Sequence, residues 1–351
     1  MFNSKYNKIT SILLLGASLT LTGCDLFDDD NDKKIDPPVE DNSLFKGDVL
    51  KGDVIKGDVN LYAATDLNTS IFKTVTDENG NFSTGGFVMQ SGIYMIKVTS
   101  NGETTMVCDT TNCGTEESPI GFGATVPASQ LTDLELSTVT YIDAEKQPLV
   151  IDEQISAMST VGAEMLIASL EKSGKDISSI TEAGFKNLEK KTTKLTFDLF
   201  GITAPEGANL FDLSLPSLNK QGEISISNEL AATVSMFNAS IIGASGDGVS
   251  ISDAINNTAV LATSFILDDT PANNNAWLAL QKNVANKAAA VGEAQAGNIP
   301  ASAVSAVESN VNNGISLDEI KDSVTDIDNC ASQDSCLTGG TGGTGITSTG
   351  G

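Results

Sequence analysis

The sequence contains no histidine and no arginine, so all 20 of its basic residues are lysines. Without histidine the chain has no Ser-His-Asp or Cys-His relay and no imidazole ligand for zinc. Without arginine it has no bidentate clamp for a phosphate group. With 46 acidic residues the formal charge is -26, which argues against nucleic acid as a partner because phosphate contacts need cations. Only 5% of the 351 residues are aromatic, so a folded core must be largely aliphatic.

Residues 1–23 have the pattern of a secretory signal peptide. Lys5 and Lys8 precede an apolar run at 9–21 that is too short to span a bilayer permanently. The run ends in Leu-Thr-Gly-Cys at 21–24, which resembles the lipobox of bacterial lipoproteins. The resemblance implies that Cys24 receives diacylglycerol and a further acyl chain such as palmitate, and becomes the first residue after cleavage. Multiple acyl chains give lasting attachment, so we expect the membrane to be a partner through Cys24.

Residues 24–44 form an acidic, proline-broken stretch that we expect to be a disordered tether. Asp25 directly follows the cysteine, as in lipoproteins that enteric bacteria keep at the inner membrane. An acidic run behind the anchor also resembles the tethers of surface-exported lipoproteins. We therefore expect a lipid-anchored protein of the bacterial cell envelope. The outer membrane or cell surface is favoured, and the periplasmic face of the inner membrane is the alternative.

Residues 45–147 are predicted to form a small antiparallel β-sandwich. Apolar and polar residues alternate at 60–63, and 71–75 and 92–98 are further candidate strands. A K-G-D-V repeat with a period of five occupies 46–59, which favours short β segments over a helix or solenoid. Asn79 and Gly80 predict a turn, because positive φ is accessible to both residue types.

Three segments of this region together resemble the carboxypeptidase regulatory-like, transthyretin-type β-sandwich of bacterial surface proteins. They read G-D-V-I-K-G-D-V-N-L-Y, V-T-D-E-N-G-N-F and S-G-I-Y-M-I-K-V. The matching residues are Thr76, Asp77, Gly80 and Phe82 in the hairpin turn of that family, and Gly92 and Tyr94 in its strand. The resemblance implies a non-catalytic accessory module and says little about a ligand.

Residues 148–329 are predicted to form an all-α helical domain of about six or seven amphipathic helices. Ser179 with Glu182, and Ser316 with Glu319, have the spacing of capping boxes, while Gly201 is expected to end a helix. The fold class is therefore α+β with two domains, a small antiparallel β-sandwich followed by an all-α domain. Residues 330–351 are expected to be a disulfide loop and a disordered Gly/Thr-rich tail.

Four of the five cysteines form two closely spaced pairs in a chain with a signal for export. We predict local disulfides between Cys108 and Cys113 and between Cys330 and Cys336. A four-cysteine zinc site is the alternative, but it needs reduced thiols in an oxidising compartment. Neither pair has the C-x-x-C spacing of a redox dithiol.

Two segments approach catalytic motifs without completing them. Ser169 and Lys172 match S-x-x-K, but the chain lacks the S-D-N and K-T-G triplets that accompany it in penicillin-binding enzymes. Ser245 misses the G-x-S-x-G elbow by one residue and has no histidine to activate it. We therefore predict no catalytic residue.

Two groups of oxygen ligands could suit calcium. Asp77, Asn79 and Asn81 alternate like the start of a calcium loop but lack the distal bidentate glutamate. The second group, Asp318, Glu319, Asp322, Asp326 and Asp328, crowds the last predicted helix. A turn and a solvated acidic face are the expected explanations. We predict no metal site and no cofactor.

The expected function is that of a non-enzymatic, lipid-anchored envelope lipoprotein that provides a binding, adhesion or scaffolding surface. Its partner would be an unidentified protein or carbohydrate. One alternative is a carboxylate-based hydrolase of envelope or extracellular glycans, which needs no histidine. Sugar sites usually use aromatic platforms, and Trp277 is the only tryptophan. The other alternative is a calcium-dependent adhesive module.

Overall fold

The first part of the described chain consists mainly of short strands, along which buried and more exposed residues alternate. The second part consists mainly of longer, capped helices. The structure is a computed structural model that describes residues 43–86, 89–146, 149–218, 228–243, 249–268 and 270–339. The predicted signal peptide, Cys24, the predicted tether up to residue 42, Ser245 and the tail from residue 340 lie outside the described residues. The described residues belong to one compact unit with a mixed α and β fold.

The strands follow one another from Leu44 to Ile155. They are β1 (Leu44–Val49), β2 (Val54–Ile55), β3 (Asp58–Ala63), β4 (Asp66–Val75), β5 (Asn81–Gly85), β6 (Gly92–Thr99), β7 (Thr105–Val107), β8 (Thr125–Val126), β9 (Glu135–Ile142) and β10 (Val150–Ile155). The candidate strands at 60–63, 71–75 and 92–98 are confirmed as parts of β3, β4 and β6.

These strands form three small sheets. The orders are β4-β3-β6-β9, β2-β7-β8 and β10-β1-β5. The first two sheets are antiparallel, but β1 and β10 pair in parallel from Leu44 opposite Val150 to Val49 opposite Ile155. This parallel pair differs from the antiparallel arrangement expected from the sequence.

The strand β10 also lies inside the range 148–329 that was predicted to be helical. Ile155 is the last residue of β10. The helix begins only at Ala157, because the hydroxyl of Ser156 accepts a hydrogen bond from the amide of Ser159 and caps it. The division into two domains at residue 147 stays a prediction.

The predicted turn at Asn79-Gly80 is present, and Gly80 has a φ of 78°. It does not join two strands of one hairpin, however. The strand before it, β4, pairs with β3, whereas β5 pairs with β1 in another sheet. The turn therefore carries the chain from one sheet to the next.

Eight α-helices lie in the described part of the chain. They are α1 (Ala157–Ser173), α2 (Glu182–Phe200), α3 (Glu229–Ser240), α4 (Ile251–Leu267), α5 (Pro271–Ala294), α6 (Ala301–Asn313), α7 (Leu317–Ser332) and α8 (Asp334–Leu337). The predicted N-cap Ser316 and the helix end at Gly201 are confirmed. The capping box at Ser179 is wrong: Ser179 ends a short 3-10 helix, and Thr181 caps α2.

The helical core is centred on Trp277, which is fully buried. Its indole nitrogen donates to the carbonyl of Leu199 over 3.0 Å, so the polar end of the ring is satisfied. The rings of Phe200 and Phe265 meet it edge-on at 5.4 and 6.1 Å. This contact joins α2, α4 and α5 and leaves the tryptophan unable to act as a surface platform for a sugar.

Candidate functional site

Both predicted cysteine pairs are joined as disulfides. The Cα atoms of Cys108 and Cys113 are 5.7 Å apart, and those of Cys330 and Cys336 are 5.2 Å apart. The first bond closes a loop after β7, and the second fastens α8 to the end of α7. All four sulfur atoms are in disulfide bonds, so none of them is a thiolate that could bind zinc.

The Ser169 and Lys172 pair is used for structure. Ser169 is buried and its hydroxyl donates to the carbonyl of Met165 over 2.9 Å. The Lys172 ammonium donates to the carbonyl of Ile266 and to the carboxylate of Asp328, each over 2.6 Å. These contacts attach the end of α1 to α4 and α7, and neither side chain is arranged as a nucleophile with its base.

The oxygen-rich segments are engaged within the protein as well. One carboxylate oxygen of Asp77 accepts from the amides of Asn79 and Asn81 at 2.8 and 2.9 Å, which forms the turn before β5. On α7, Asp326 pairs with Lys191 over 3.4 Å, in addition to the Asp328 pair. No group of three or more potential metal-binding side chains is assembled within the described ranges.

A large cleft opens between α2, the loop that follows it, the end of α6 and the start of α7. Its volume is about 1040 Å³. We call it the α2–α7 cleft. It is lined by Lys190, Thr193, Lys194, Phe197, Asp198, Gly201, Ile202, Thr203, Ala204, Pro205, Glu206, Gly207, Ala208, Ser309, Asn310, Asn313, Gly314, Ile315, Ser316 and Glu319. This volume is sufficient for a ligand of several sugar or peptide units.

Two glycines shape the walls of the α2–α7 cleft. Gly201 ends α2 with a φ of 69°, and a Cβ on it would lie 3.0 Å from Ile315 and 3.2 Å from Asn310. Glycine therefore lets the loop after α2 pass against the α6–α7 connection. Gly314 ends α6 with the same positive φ of 69° and turns the chain into α7.

The floor of the α2–α7 cleft is held by internal hydrogen bonds. The hydroxyl of Thr193 donates to the side chain of Asn209 and accepts from the amide of Leu210, at 3.2 and 3.0 Å. Lys194 pairs with Asp198 over 2.6 Å. The Lys194–Asp198 pair lies within α2, whereas the two Thr193 bonds fix the loop after α2 to the helix, so this wall of the cleft is pre-formed.

The rim of the cleft carries polar side chains that are not used by the fold. Lys190, Glu206, Asn310 and Glu319 have no side-chain partner among the residues that the structure describes. A cation, an amide and two carboxylates are thus free to bind a ligand. They offer both donors and acceptors.

A second polar cluster, outside the lining of the cleft, consists of the carboxyl groups of Glu153 and Glu189. Burial raises the pKa of Glu153 to about 7, although the Thr140 hydroxyl donates to it and opposes this shift. Burial also raises the pKa of Glu189 to about 8, with further contributions from the charges of Asp212 and Glu153. Both carboxyls therefore exchange protons near neutral pH.

Sequence reasoning named Gly201, Ser316 and Glu319 only as helix ends, caps or part of an acidic helix face, and predicted no cleft from the lining residues. They come from two segments more than a hundred residues apart, 190–208 and 309–319, and have no motif spacing. The available sequence signals were Gly201 and Gly314. They indicate where two helices end, but not that the loops after these helices lie close together.

No family model, curated protein or solved structure matches this chain. The resemblance of residues 45–147 to the carboxypeptidase regulatory-like sandwich therefore stays a prediction. In the described ranges, no helix is both long and apolar enough to cross a membrane.

Proposed function

We propose that this protein is a non-enzymatic, lipid-anchored lipoprotein of the bacterial cell envelope that binds a polar, hydroxyl-rich ligand such as an oligosaccharide in the α2–α7 cleft. The observation that carries the binding role is the set of unpartnered polar side chains at the rim of a pre-formed cleft of about 1040 Å³. Anchoring through Cys24 rests on the lipobox.

The charges of the cleft favour a ligand without strong net charge. Lys190 and Lys194 face three carboxylates, those of Asp198, Glu206 and Glu319, within one lining. The excess of carboxylates would repel an anionic ligand, and the two lysines would repel a strongly cationic ligand. Sugar hydroxyls both donate and accept, so they suit the amide of Asn310 and the carboxylates together.

Binding can be tested by applying the purified full-length protein to an array of envelope and extracellular oligosaccharides. We expect the Lys190→Ala and Asn310→Ala variants to weaken the affinity for any bound glycan by about tenfold each, which corresponds to about 1.4 kcal/mol. Lys282→Ala and Asn257→Ala are matched controls, because both residues are exposed on helices outside the cleft. Equal affinity of the cleft and control variants, or no bound glycan, would contradict the proposed site.

The location can be tested by protease shaving of intact cells that express the full-length protein. Digestion of the protein while a periplasmic marker survives would support the cell surface. Protection from the protease, with membrane attachment that depends on Cys24, would place the protein in the periplasm. Attachment of a Cys24→Ala variant as strong as that of the native chain would contradict the lipid anchor.

A glycan hydrolase is the second candidate, and the carboxyl groups of Glu153 and Glu189 favour it. With a pKa of about 8, Glu189 is mostly protonated at pH 7 and can act as a general acid, and Glu153, with a pKa of about 7, is protonated in about half of the molecules. Incubation of the protein with glycans and peptidoglycan would detect turnover. Turnover that is abolished by Glu189→Gln but retained by Glu308→Gln, an exposed control on α6, would replace the non-enzymatic proposal. Absence of turnover would eliminate this candidate.

A further inference from the structure

A second pocket lies along α4, where this helix packs against α1 beside the start of β9. We call it the α1–α4 groove. Its volume is about 510 Å³, within the range of about 300–1,000 Å³ that is usual for small-molecule sites. Glu135, Thr160 and Glu164 line one side of it, and residues of α4 and α5 line the other. No residue lines both this groove and the α2–α7 cleft, so the two are separate sites.

The α4 side of the α1–α4 groove is a stripe of residues on one face of the helix. The stripe consists of Asn256, Val260, Thr263 and Leu267, whose successive members are three or four positions apart. Val260 is 66% exposed and Leu267 is 58% exposed. They are two of the five large hydrophobic side chains that are exposed in the described part of the chain. A ligand with an apolar body would remove them from water, which favours binding.

The α1 side of the groove supplies a carboxylate that lacks a partner. Glu164 makes no hydrogen bond or close ion pair with another residue that the structure describes. Burial raises the pKa of Glu164, and the attraction of Lys97 opposes this shift. Lys97 is itself paired with Glu135 over 2.6 Å. The ionised carboxylate of Glu164 has therefore lost part of its hydration without gaining a cation of its own.

The charges around the α1–α4 groove have one sign. Glu135, Glu164 and Asp268 contribute carboxylates, and none of the described lining residues is a lysine. The groove also reaches the carboxyl end of α4 at Leu267, where the dipole of the helix places a partial negative charge. These charges attract a cationic ligand and repel an anionic one.

The lining favours an organic cation over a metal ion. Most of the surface that lines the groove is apolar, and its carboxylates do not form a metal-binding group within the described ranges. A primary ammonium carries three N–H donors for a carboxylate, and its hydrocarbon body suits an apolar wall. No aromatic ring is present among the described lining residues, whereas quaternary ammonium ions are usually recognised by such rings.

We propose that the α1–α4 groove binds a small primary amine in its ammonium form, with an aliphatic or aromatic body. The ammonium group pairs with the carboxylate of Glu164, and the body covers Val260 and Leu267. Pairing supplies the cation that this half-buried carboxylate lacks, and the contact with α4 removes two exposed apolar side chains from water. This binding site is additional to the one proposed for glycans.

The test is isothermal titration calorimetry of the purified full-length protein with matched probes. Phenethylamine, phenethyl alcohol and hydrocinnamate share one apolar body and differ in the charge of the terminal group. Octylamine and octanol form the aliphatic pair. We expect saturable binding of at least one amine, about tenfold weaker binding of the matching alcohol because a charge-assisted hydrogen bond is lost, and no binding of hydrocinnamate.

Three variants locate the binding site. Glu164→Gln keeps the shape of the side chain and removes its charge, so we expect about tenfold weaker binding of the amine and unchanged binding of the alcohol. Leu267→Asn removes apolar contact from an exposed position and should weaken both probes by about threefold. Glu171→Gln is the matched control, because Glu171 is an exposed carboxylate on α1 outside the lining and its loss should change neither affinity by more than about twofold.

Three results would overturn the proposal. They are the absence of saturable binding for both amines, equal affinities for an amine and its alcohol, and equal effects of Glu164→Gln and Glu171→Gln on amine binding. Circular dichroism verifies that each variant is folded. If Glu164→Gln did not fold, the native protein would still decide between amine and alcohol, and Leu267→Asn would still decide whether the groove is the site.

Discussion

At the scale of single residues, Asn238 joins three separate segments of the chain. Its side-chain oxygen accepts hydrogen bonds from the amides of Ala157 and Met158, at 2.8 and 3.3 Å, in the first turn of α1. Its side-chain nitrogen donates to the carbonyl of Leu50. Asn238 is 4% exposed, so water cannot replace these bonds.

We expect Asn238→Ala to lower the free energy of unfolding by about 3 kcal/mol, because it leaves several buried polar groups without partners. Urea denaturation followed by circular dichroism measures this change. Asn257→Ala is the matched control, since Asn257 is exposed on α4, and should change the stability by less than about 0.5 kcal/mol. A loss for Asn238→Ala no larger than that of the control would show that these bonds do not stabilise the fold.

The raised pKa of Glu189 makes the stability of the fold depend on pH and determines the direction of that dependence. In the unfolded chain this carboxyl has the ordinary pKa of 4.5, whereas burial in the folded protein raises it to about 8. The folded state therefore binds the proton more tightly. The resulting stabilisation is complete below the unfolded pKa and is lost as the pH rises through the folded pKa.

We expect the stability of the native protein to fall between about pH 5 and pH 9, by about 1–4 kcal/mol, and Glu189→Gln to remove much of this decline. Denaturant titrations across this range provide the measurement. Glu308→Gln is the control because Glu308 is exposed on α6. If Glu189→Gln and Glu308→Gln showed the same pH dependence as the native chain, Glu189 would not be its source.

The lysines of the repeat show what a local sequence cannot specify. Lys46, Lys51 and Lys56 each precede Gly-Asp-Val. Lys46 and Lys56 are exposed ion-pair partners, while Lys51 is enclosed by α3 and the disulfide loop. Their environments differ because the groups that surround them come from distant parts of the chain. Only Lys51 is covered by such groups.

At the scale of elements, the start of α2 and the short helix α8 depend on close backbone contact. Gly184, in the first turn of α2, lies so near Leu337 that a Cβ would be 1.7 Å from its carbonyl oxygen. The amide of Thr181 donates to that same carbonyl over 3.1 Å, and the side chain of Asn187 donates to the carbonyl of Cys336 over 3.2 Å. A glycine at 184 permits this approach.

We expect Gly184→Ala to displace α8 and to lower the free energy of unfolding by about 1–3 kcal/mol, because the backbone atoms it meets cannot rotate away. Denaturation measures the stability, and limited proteolysis measures the release of the C-terminal segment. Gly102→Ala is a suitable control, since no atom lies within 4 Å of its added Cβ. Unchanged stability and protection in Gly184→Ala would contradict this contact.

Element boundaries were predicted well where local bonds define them and poorly where distant partners do. Ser316 is the N-cap of α7 as predicted, because a cap needs only the amide of Glu319 three residues away. The sequence predicts the cap of α2 at Ser179, two residues early, since serine and threonine at 179 and 181 both suit a cap. Contact of Thr181 with Leu337 distinguishes the two in the folded protein.

At the scale of the whole molecule, strand-rich and helix-rich parts share backbone and side-chain contacts. The strand β10 completes a sheet with β1, and α1 follows it after a single residue. The hydroxyl of Ser159 on α1 donates to the carbonyl of Ser137 on β9 over 2.8 Å. These contacts connect residues on both sides of the predicted domain boundary at 147.

We expect the full chain to unfold in one cooperative thermal transition, with equal calorimetric and van't Hoff enthalpies, because one compact unit contains all the described elements. Differential scanning calorimetry is the measurement. Asn238→Ala should move this single transition to lower temperature without splitting it. Two separate transitions in the native protein would instead support independent domains on either side of residue 147.

The sequence by itself determined the features that depend on composition or on close neighbours. The absence of histidine and arginine restricts the available chemistry, and both disulfides join cysteines at most six residues apart. Only the tertiary structure decided that β10 pairs in parallel with β1, that the α2–α7 cleft exists and that Lys51 faces Asp109. Each of these brings together residues far apart in the chain, and their proximity results from packing of the whole core rather than from any local pattern.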